Sequence, residues 1–235
     1  MYFNTKNTGF IRFSFLTKMV LIAGIVGLSL GFSVINTEPT WVLTKEKEGV
    51  KIYQREIPNS NLKQMRMIST IKGNSLSSFA ALFQDLENYD EWVYSCIESK
   101  LLKKLAENEI VYYINSDFPW PLDDRDFVLK NTISQDNKTL AFHSKSVAYN
   151  NFYGAKSGIV RVKVFDAEWV ITPMGNGKFG LVYTFSTDPA GDIPTWIINS
   201  FMDVGPLQTL KGMERYAQSA KYGKANFSFI TETKL

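Results

Sequence analysis

The chain of 235 residues carries one cysteine, Cys96, and one histidine, His143. A disulfide framework within the chain and a Cys-rich or poly-histidine metal site therefore both fall away. His143 stands between Phe142 and Ser144 in an alternating run, which turns it to the outer face of a strand. No Walker or H-E-x-x-H spacing occurs. The densest charge cluster is Leu122-Asp123-Asp124-Arg125-Asp126-Phe127, one cation beside three carboxylates just ahead of an apolar strand. It reads either as ion pairs that pin a turn or as a cation offered to a ligand. Acid–base catalysis needs titratable groups inside a cavity. The inward positions of the alternating strands instead supply hydroxyls and amides: Tyr112, Asn131, Ser144 and Tyr183. No cofactor is implied, and a cyclase-type enzyme is the second reading rather than the first.

The remaining composition is that of a folded globular domain, 45% hydrophobic, 14% aromatic and 21% charged. Of 26 basic residues, Lys6, Arg12 and Lys18 precede the uncharged stretch Met19–Ile35, leaving 23 basic against 23 acidic in the rest. A domain without net charge or a basic run does not suit nucleic acid, whose binding rests on neutralised phosphates. Charged residues followed by an apolar stretch form an export address. Residues 1–33 read as a signal peptide cleaved after Ser33, with Gly31 and Ser33 as the small residues, or as an uncleaved N-terminal membrane anchor. Both readings export the domain to the periplasm or beyond, where a single unpaired thiol has no partner in the chain for mispairing.

Thr37 and Pro39 suggest a short helix ending at Gly49. Alternation over 50–57 and 63–72, broken by Pro58-Asn59, predicts a hairpin. Ser75 can cap a helix carrying Leu76, Phe79, Ala80, Leu82 and Phe83, followed by a second short helix through Leu86, Tyr89 and Trp92. Strand-like runs then follow at 97–106, 109–117, 126–134, 138–148, 158–172 and 178–187. Their short connections mean an antiparallel meander. A long helix closes the domain, capped at Asp192, running to Tyr222 and kinked at Gly205-Pro206. The fold class is α+β: a strongly curved antiparallel sheet wrapped around a long C-terminal helix. The domain spans 37–223, with a C-terminal tail over 224–235.

Such a sheet encloses either large side chains or a ligand. Alternation turns Tyr112 and Ile114 inward on one strand, Phe127, Leu129 and Asn131 on the next, then Phe142 and Ser144. Val162, Leu181 and Tyr183 follow on later strands, and Phe201 and Met213 lie on the helix stripe facing them. Mostly apolar faces with a few hydroxyl and amide groups suit a lipid, because burial supplies affinity and sparse polar groups orient the molecule. Alternation alone is equally met by an ordinary packed core.

Several motifs stand in one order: Gly49-Val50-Lys51-Ile52-Tyr53-Gln54-Arg55, Trp92, Phe118-Pro119-Trp120-Pro121-Leu122, Arg125-Asp126-Phe127, Gly158-Ile159-Val160-Arg161, Trp169-Val170-Ile171-Thr172-Pro173 and Asp188–Trp196. From about Trp41 to Tyr222 the chain resembles the StAR-related lipid-transfer (START) domain family, of the helix-grip superfamily. The resemblance implies a hydrophobic tunnel for a lipid or other hydrophobic small molecule, used in transport or sensing at a membrane surface. It also implies that Tyr149–Ser157 is a mobile lid, with Tyr149, Phe152 and Tyr153 as its aromatics. The residues alone equally permit a solvent-facing connection packed on the helix. Sterol-binding relatives carry a second basic residue where this chain has Asn131, so a sterol-type ion pair is not expected. A phosphocholine group would want an aromatic cage or a paired Arg and Asp, for which Asp85, Asp90, Tyr89 and Trp92 offer parts.

Overall fold

The computed structural model describes residues 39–191 and 193–232, and within 195–203 the side chain of Ile197 alone. The stretch expected to direct export, Asp192 as the expected helix cap and the side chain of Phe201 lie outside the described residues.

Ten strands form one sheet: β1 (Val42–Lys47), β2 (Val50–Glu56), β3 (Lys63–Lys72), β4 (Cys96–Ala106), β5 (Glu109–Ser116), β6 (Asp124–Gln135), β7 (Phe142–Ala148), β8 (Ile159–Arg161), β9 (Val164–Gly175) and β10 (Lys178–Asp188). The order is β1-β2-β3-β10-β9-β7-β6-β5-β4, antiparallel throughout, and β8 adds to β6 in parallel. Helix α1 (Leu76–Gln84) and a 3-10 turn (Leu86–Glu91) join β3 to β4, and α2 (Thr195–Ala217) follows β10. The sheet curves far enough for Tyr112 of β5 and Tyr183 of β10, several strands apart, to line one cavity with α2.

Local chemistry sets the element ends. Ser75 caps α1, accepting from the Ser78 N–H at 3.0 Å while Ser78 Oγ accepts from the Ser75 N–H at 3.2 Å. The next two amides, of Leu76 and Ser77, donate to the Glu232 carboxylate at 2.9 and 2.7 Å. The segment after Gly223 thus folds back onto the domain, with Ile230 buried beside Phe227 and Phe229.

Four expectations are corrected. Residues 42–47 are a strand, not a helix, because Glu48 and Gly49 both adopt positive φ and close a tight hairpin onto β2. The run at 158–172 is two strands, since β8 pairs with β6 and β9 with β7 and β10. Asp136 accepts from the Lys138 and Thr139 amides at 3.0 and 2.7 Å, making 136–139 a turn that delays β7 to Phe142. Helix α2 runs through Pro206 and ends at Ala217, five residues before Tyr222.

Candidate functional site: an aromatic cavity between sheet and helix

The curved sheet, the 3-10 turn and α2 enclose a cavity of about 1030 Å³. Its deep wall is a self-packed aromatic cluster. Phe83 and Tyr89 meet the Trp92 ring edge to face at 5.8 and 5.0 Å, and Tyr89 meets Tyr112 at 5.9 Å. The Tyr89 hydroxyl donates to the Phe83 carbonyl at 2.6 Å, which fixes the 3-10 turn against α1. Across the cavity Trp169 and Tyr183 stack at 3.6 Å, and Tyr183 stacks on Phe185 at 5.0 Å. Phe127 meets Phe165 at 5.4 Å nearer the mouth.

The mouth is built from connections: Asn61–Lys63, Phe118, and Asp188, Pro189, Gly191, Ile193 and Pro194. On the helix side the wall is Gly205, Pro206 and Thr209. Glycine at 212 lets α2 close onto the wall, since a β-carbon there would lie 2.5 Å from the Trp92 carbonyl oxygen.

Polar groups in the cavity are neutral. The Tyr112 hydroxyl and Ser146 Oγ lie 3.1 Å apart, and Asn131 Nδ2 reaches Ser144 Oγ at 2.8 Å and Ser146 Oγ at 3.0 Å from behind. Asn131 Oδ1 and Trp92 Nε1 are buried without a hydrogen-bond partner. Burial pushes the Tyr112 phenol up to about 12 against the bond to Ser146, and raises Tyr183 further. Lys63 and Asp188 are the formal charges among the described lining residues, and both lie at the mouth.

Of the residues expected to touch a ligand, Tyr112, Ile114, Phe127, Leu129 and Tyr183 line the cavity. The others of that set whose side chains are described lie elsewhere. Asn131 and Ser144 stand one layer behind Ser146. Phe142 stacks on Phe83 at 5.9 Å within the packed core, as do Leu181 and Met213. Val162 is buried beside β6, its N–H donating to the Asp126 carbonyl at 2.9 Å, away from the cavity wall. The break between β8 and β9 puts Phe165, Ala167 and Trp169 on the wall instead. Alternation read from Val164 onward would have found them.

The lid assignment is corrected as well. Tyr149, Phe152 and Tyr153 do not line the cavity. Tyr153 packs on Tyr113 at 5.3 Å, on the face of β5 opposite Tyr112. Arg161 fixes this loop: it bonds Asp126 through both oxygens at 2.6 and 3.0 Å and donates to the carbonyls of Tyr153 and Gly154. Among the described residues no carboxylate pairs directly with Arg125, although Asp123 and Asp124 act on it through space. The buried guanidinium donates to the carbonyls of Asp123, Pro189 and Ala190 and lies 4.5 Å over the Phe118 ring. It therefore ties the β5–β6 turn to the β10–α2 connection at the mouth, without lining the cavity. Asp85 is taken by Lys221, Tyr222 and Asn88, and Asp90 is exposed, so neither completes a cage around Trp92. The spacing Gly175-Asn176-Gly177-Lys178-Phe179-Gly180 has a dinucleotide-loop form, yet it closes the β9–β10 hairpin rather than a strand-to-helix turn.

Comparison with known proteins agrees with this architecture. The START domain family model matches residues 34–222. An uncharacterized protein of Pseudomonas aeruginosa is 32% identical over 211 residues, covering 89% of this chain and 98% of its own. The phosphatidylcholine transfer protein of Mus musculus is 26% identical over 187 residues, covering 78% and 86%. Among solved structures, a STAR-related lipid transfer protein from Xanthomonas axonopodis superposes with a TM-score of 0.67 at 25% identity, over 75% of this chain and 98% of that one. Human StAR-related lipid transfer protein 5 shares the fold, with a TM-score of 0.65 at 16% identity over 86% and 91%. With a matching family model across most of its length and the curved sheet, α2 and cavity in place, the chain belongs to the START domain family.

Proposed function

We propose that the protein is a lipid carrier that holds one hydrophobic molecule in the cavity and exchanges it at a membrane surface. The observation that carries this reading is the cavity itself: about 1030 Å³, walled by aromatic rings and closed by α2. That volume stands at the top of the range for drug-sized ligands, roughly 300–1,000 Å³. The interior offers hydroxyl and indole groups without a formal charge, which suits a neutral or zwitterionic lipid and favours carriage over acid–base catalysis. The similarity to a phosphatidylcholine transfer protein and to STAR-related lipid transfer proteins supports the same class. Export through residues 1–33 is part of the proposal and would place carriage on the outer side of a membrane.

Native mass spectrometry of the protein purified without detergent tests the reading. A single lipid released on denaturation is the expected result, and an empty, stable protein that takes up no lipid from vesicles would overturn it. Exchange between donor and acceptor vesicles then separates a carrier, which depletes the donor, from a sensor, which keeps its ligand.

A further inference from the structure

The cavity interior holds hydroxyl hydrogens that the protein itself does not use, and their count shows what a ligand must bring. The chain of bonds starts behind the wall at Asn131. Its amide Nδ2 shares two hydrogens among the Lys145 carbonyl at 3.2 Å, Ser144 Oγ at 2.8 Å and Ser146 Oγ at 3.0 Å. The Lys145 carbonyl sets the orientation of the amide, since an amide oxygen turned toward it would put two acceptors together. Ser146 therefore receives a hydrogen from Asn131 and cannot return its own there.

Ser146 Oγ and the Tyr112 hydroxyl lie 3.1 Å apart, and both residues line the cavity. They own two hydrogens between them; one closes their mutual bond, so the other is left over. The head-to-tail order from Asn131 to Ser146 to Tyr112 polarises each bond in the same direction and leaves the phenolic hydrogen to the cavity. Tyr183 supplies a second. Its ring is fixed by stacking on Trp169 at 3.6 Å and on Phe185 at 5.0 Å, and its hydroxyl bonds to none of the described residues. Burial raises the Tyr183 phenol, and the nearby Tyr112 phenol adds to that shift, so the two hydroxyls share one neighbourhood. The unused acceptor close by, Asn131 Oδ1, is buried in the layer behind Ser146.

We propose that the Tyr112 and Tyr183 phenols donate to an ester carbonyl of the bound lipid, and so select an ester-linked lipid over the ether-linked lipid of the same head and tails. This rests on the lipid-carrier reading and adds the group by which the lipid is chosen. A carbonyl oxygen has two lone pairs for two donors. Without it both hydrogens stay unpaired in an apolar site, which is costly. A carboxylate would accept as well, but it would bring an unpaired charge into an interior with none to meet it, and a hydroxyl would add one more donor.

The test offers the full chain vesicles of equal parts dioleoyl phosphatidylcholine and its dioleyl ether analogue, and reads the bound lipid by mass spectrometry once the vesicles are removed. On the wild type the ester is expected to exceed the ether by roughly tenfold or more. The preference should fall several-fold in Tyr112→Phe and in Tyr183→Phe, and vanish in the double variant with the total load held. Each substitution removes one oxygen, and thermal unfolding checks that the fold is kept. Should Y112F unfold for want of the Ser146 bond, Y183F alone decides, because its hydroxyl holds no described residue. Equal uptake of the two lipids by the wild type would overturn the ester assignment and leave the carrier in place. A preference that survives in the double variant, or in Y183F when it alone decides, would overturn the role of the phenols. Neither lipid on a folded wild type would sink the carrier reading, and this inference with it.

Discussion

A methyl group at Gly212 tests how α2 is seated, and the structure sets its size. The new β-carbon would lie 2.5 Å from the Trp92 carbonyl oxygen and 2.9 Å from its Cα, where ordinary contact begins at 3.4 Å. Helix or wall must therefore retreat by about 1 Å. The wall is held: the Val93 N–H donates to the Tyr89 carbonyl at 2.8 Å and the Tyr94 N–H to Thr209 Oγ1 at 3.0 Å. At Gly205 the nearest atom is instead a side-chain ring carbon of the exposed Tyr94 at 3.1 Å, a milder approach than backbone at 2.5 Å. Replacing Gly by Ala within a helix gains roughly 0.5–1 kcal/mol. At Gly205 the neighbour need give only a few tenths of an ångström, so the opposing cost is smaller than at Gly212. At Gly212 overpacking against backbone falls at the upper end of about 1–3 kcal/mol, a net loss of about 2 kcal/mol. For a domain of this size that lowers Tm by roughly 4–8 °C. Thermal unfolding followed by circular dichroism should place G212A well below both the wild type and G205A. Because Trp92, Val93 and Thr209 line the cavity, G212A should also carry less lipid by native mass spectrometry. A G212A protein that melts with the wild type and holds a full lipid load would refute the reasoning, since α2 could then sit away from Trp92 at no cost.

Further expectations follow from other parts of the structure. Ala167 is buried on the cavity wall, so A167F should fill space without crowding the core: lipid load falls while Tm holds, and an unchanged load would show that the ligand does not reach this wall. Arg161 and Asp126 are paired through both oxygens and nearly buried. R161M should cost about 3–5 kcal/mol in urea unfolding, much of it recovered when Asp126 is also made apolar, and a single variant as stable as the double would contradict this. Burial pushes the Cys96 thiol up to about 11, so iodoacetamide at pH 8 should label it only in denaturant; prompt labelling of the native protein would show the site to be open.

The parts of the fold that read clearly from the sequence are those whose signals are local. Ser75 ahead of Leu76, Phe79, Ala80 and Phe83 specifies both the cap and the buried face of α1. Alternation on β5 and β6 places Tyr112, Ile114, Phe127 and Leu129 on the cavity wall for the same reason. What misled was decided by distant partners. Residues 42–47 contain Lys45, Glu46 and Lys47, ordinary helix formers, and become a strand because β2 pairs with them. The 149–157 loop lies on the outer face of the sheet because Arg161 finds Asp126, 35 positions earlier in the chain. Nothing in the spacing of Phe227, Phe229 and Ile230 shows that they return to the core, or that Glu232 completes the start of α1. Val162 and the residues after it misplaced the wall because one loop between β8 and β9 resets the alternation.

The charges near the cavity explain how its ligand must sit. Arg125 and Asp85, outside the lining, are each bound to protein partners, backbone carbonyls in one case and Lys221 with Tyr222 in the other, while Arg161 pairs with Asp126 on the outer face of the sheet. Burial raises the phenols of Tyr112 and Tyr183, which favours their neutral form. An ionised group carried to the Trp92 end would find no counter-charge among the described lining residues, and a buried unpaired charge is costly. The same group at the mouth meets water, Lys63 and Asp188. On the carrier proposal, apolar tails would therefore enter toward Trp92 and Trp169 while any ionised head stays at the mouth, and the Tyr112–Ser146 pair would be left to a hydroxyl or ester oxygen.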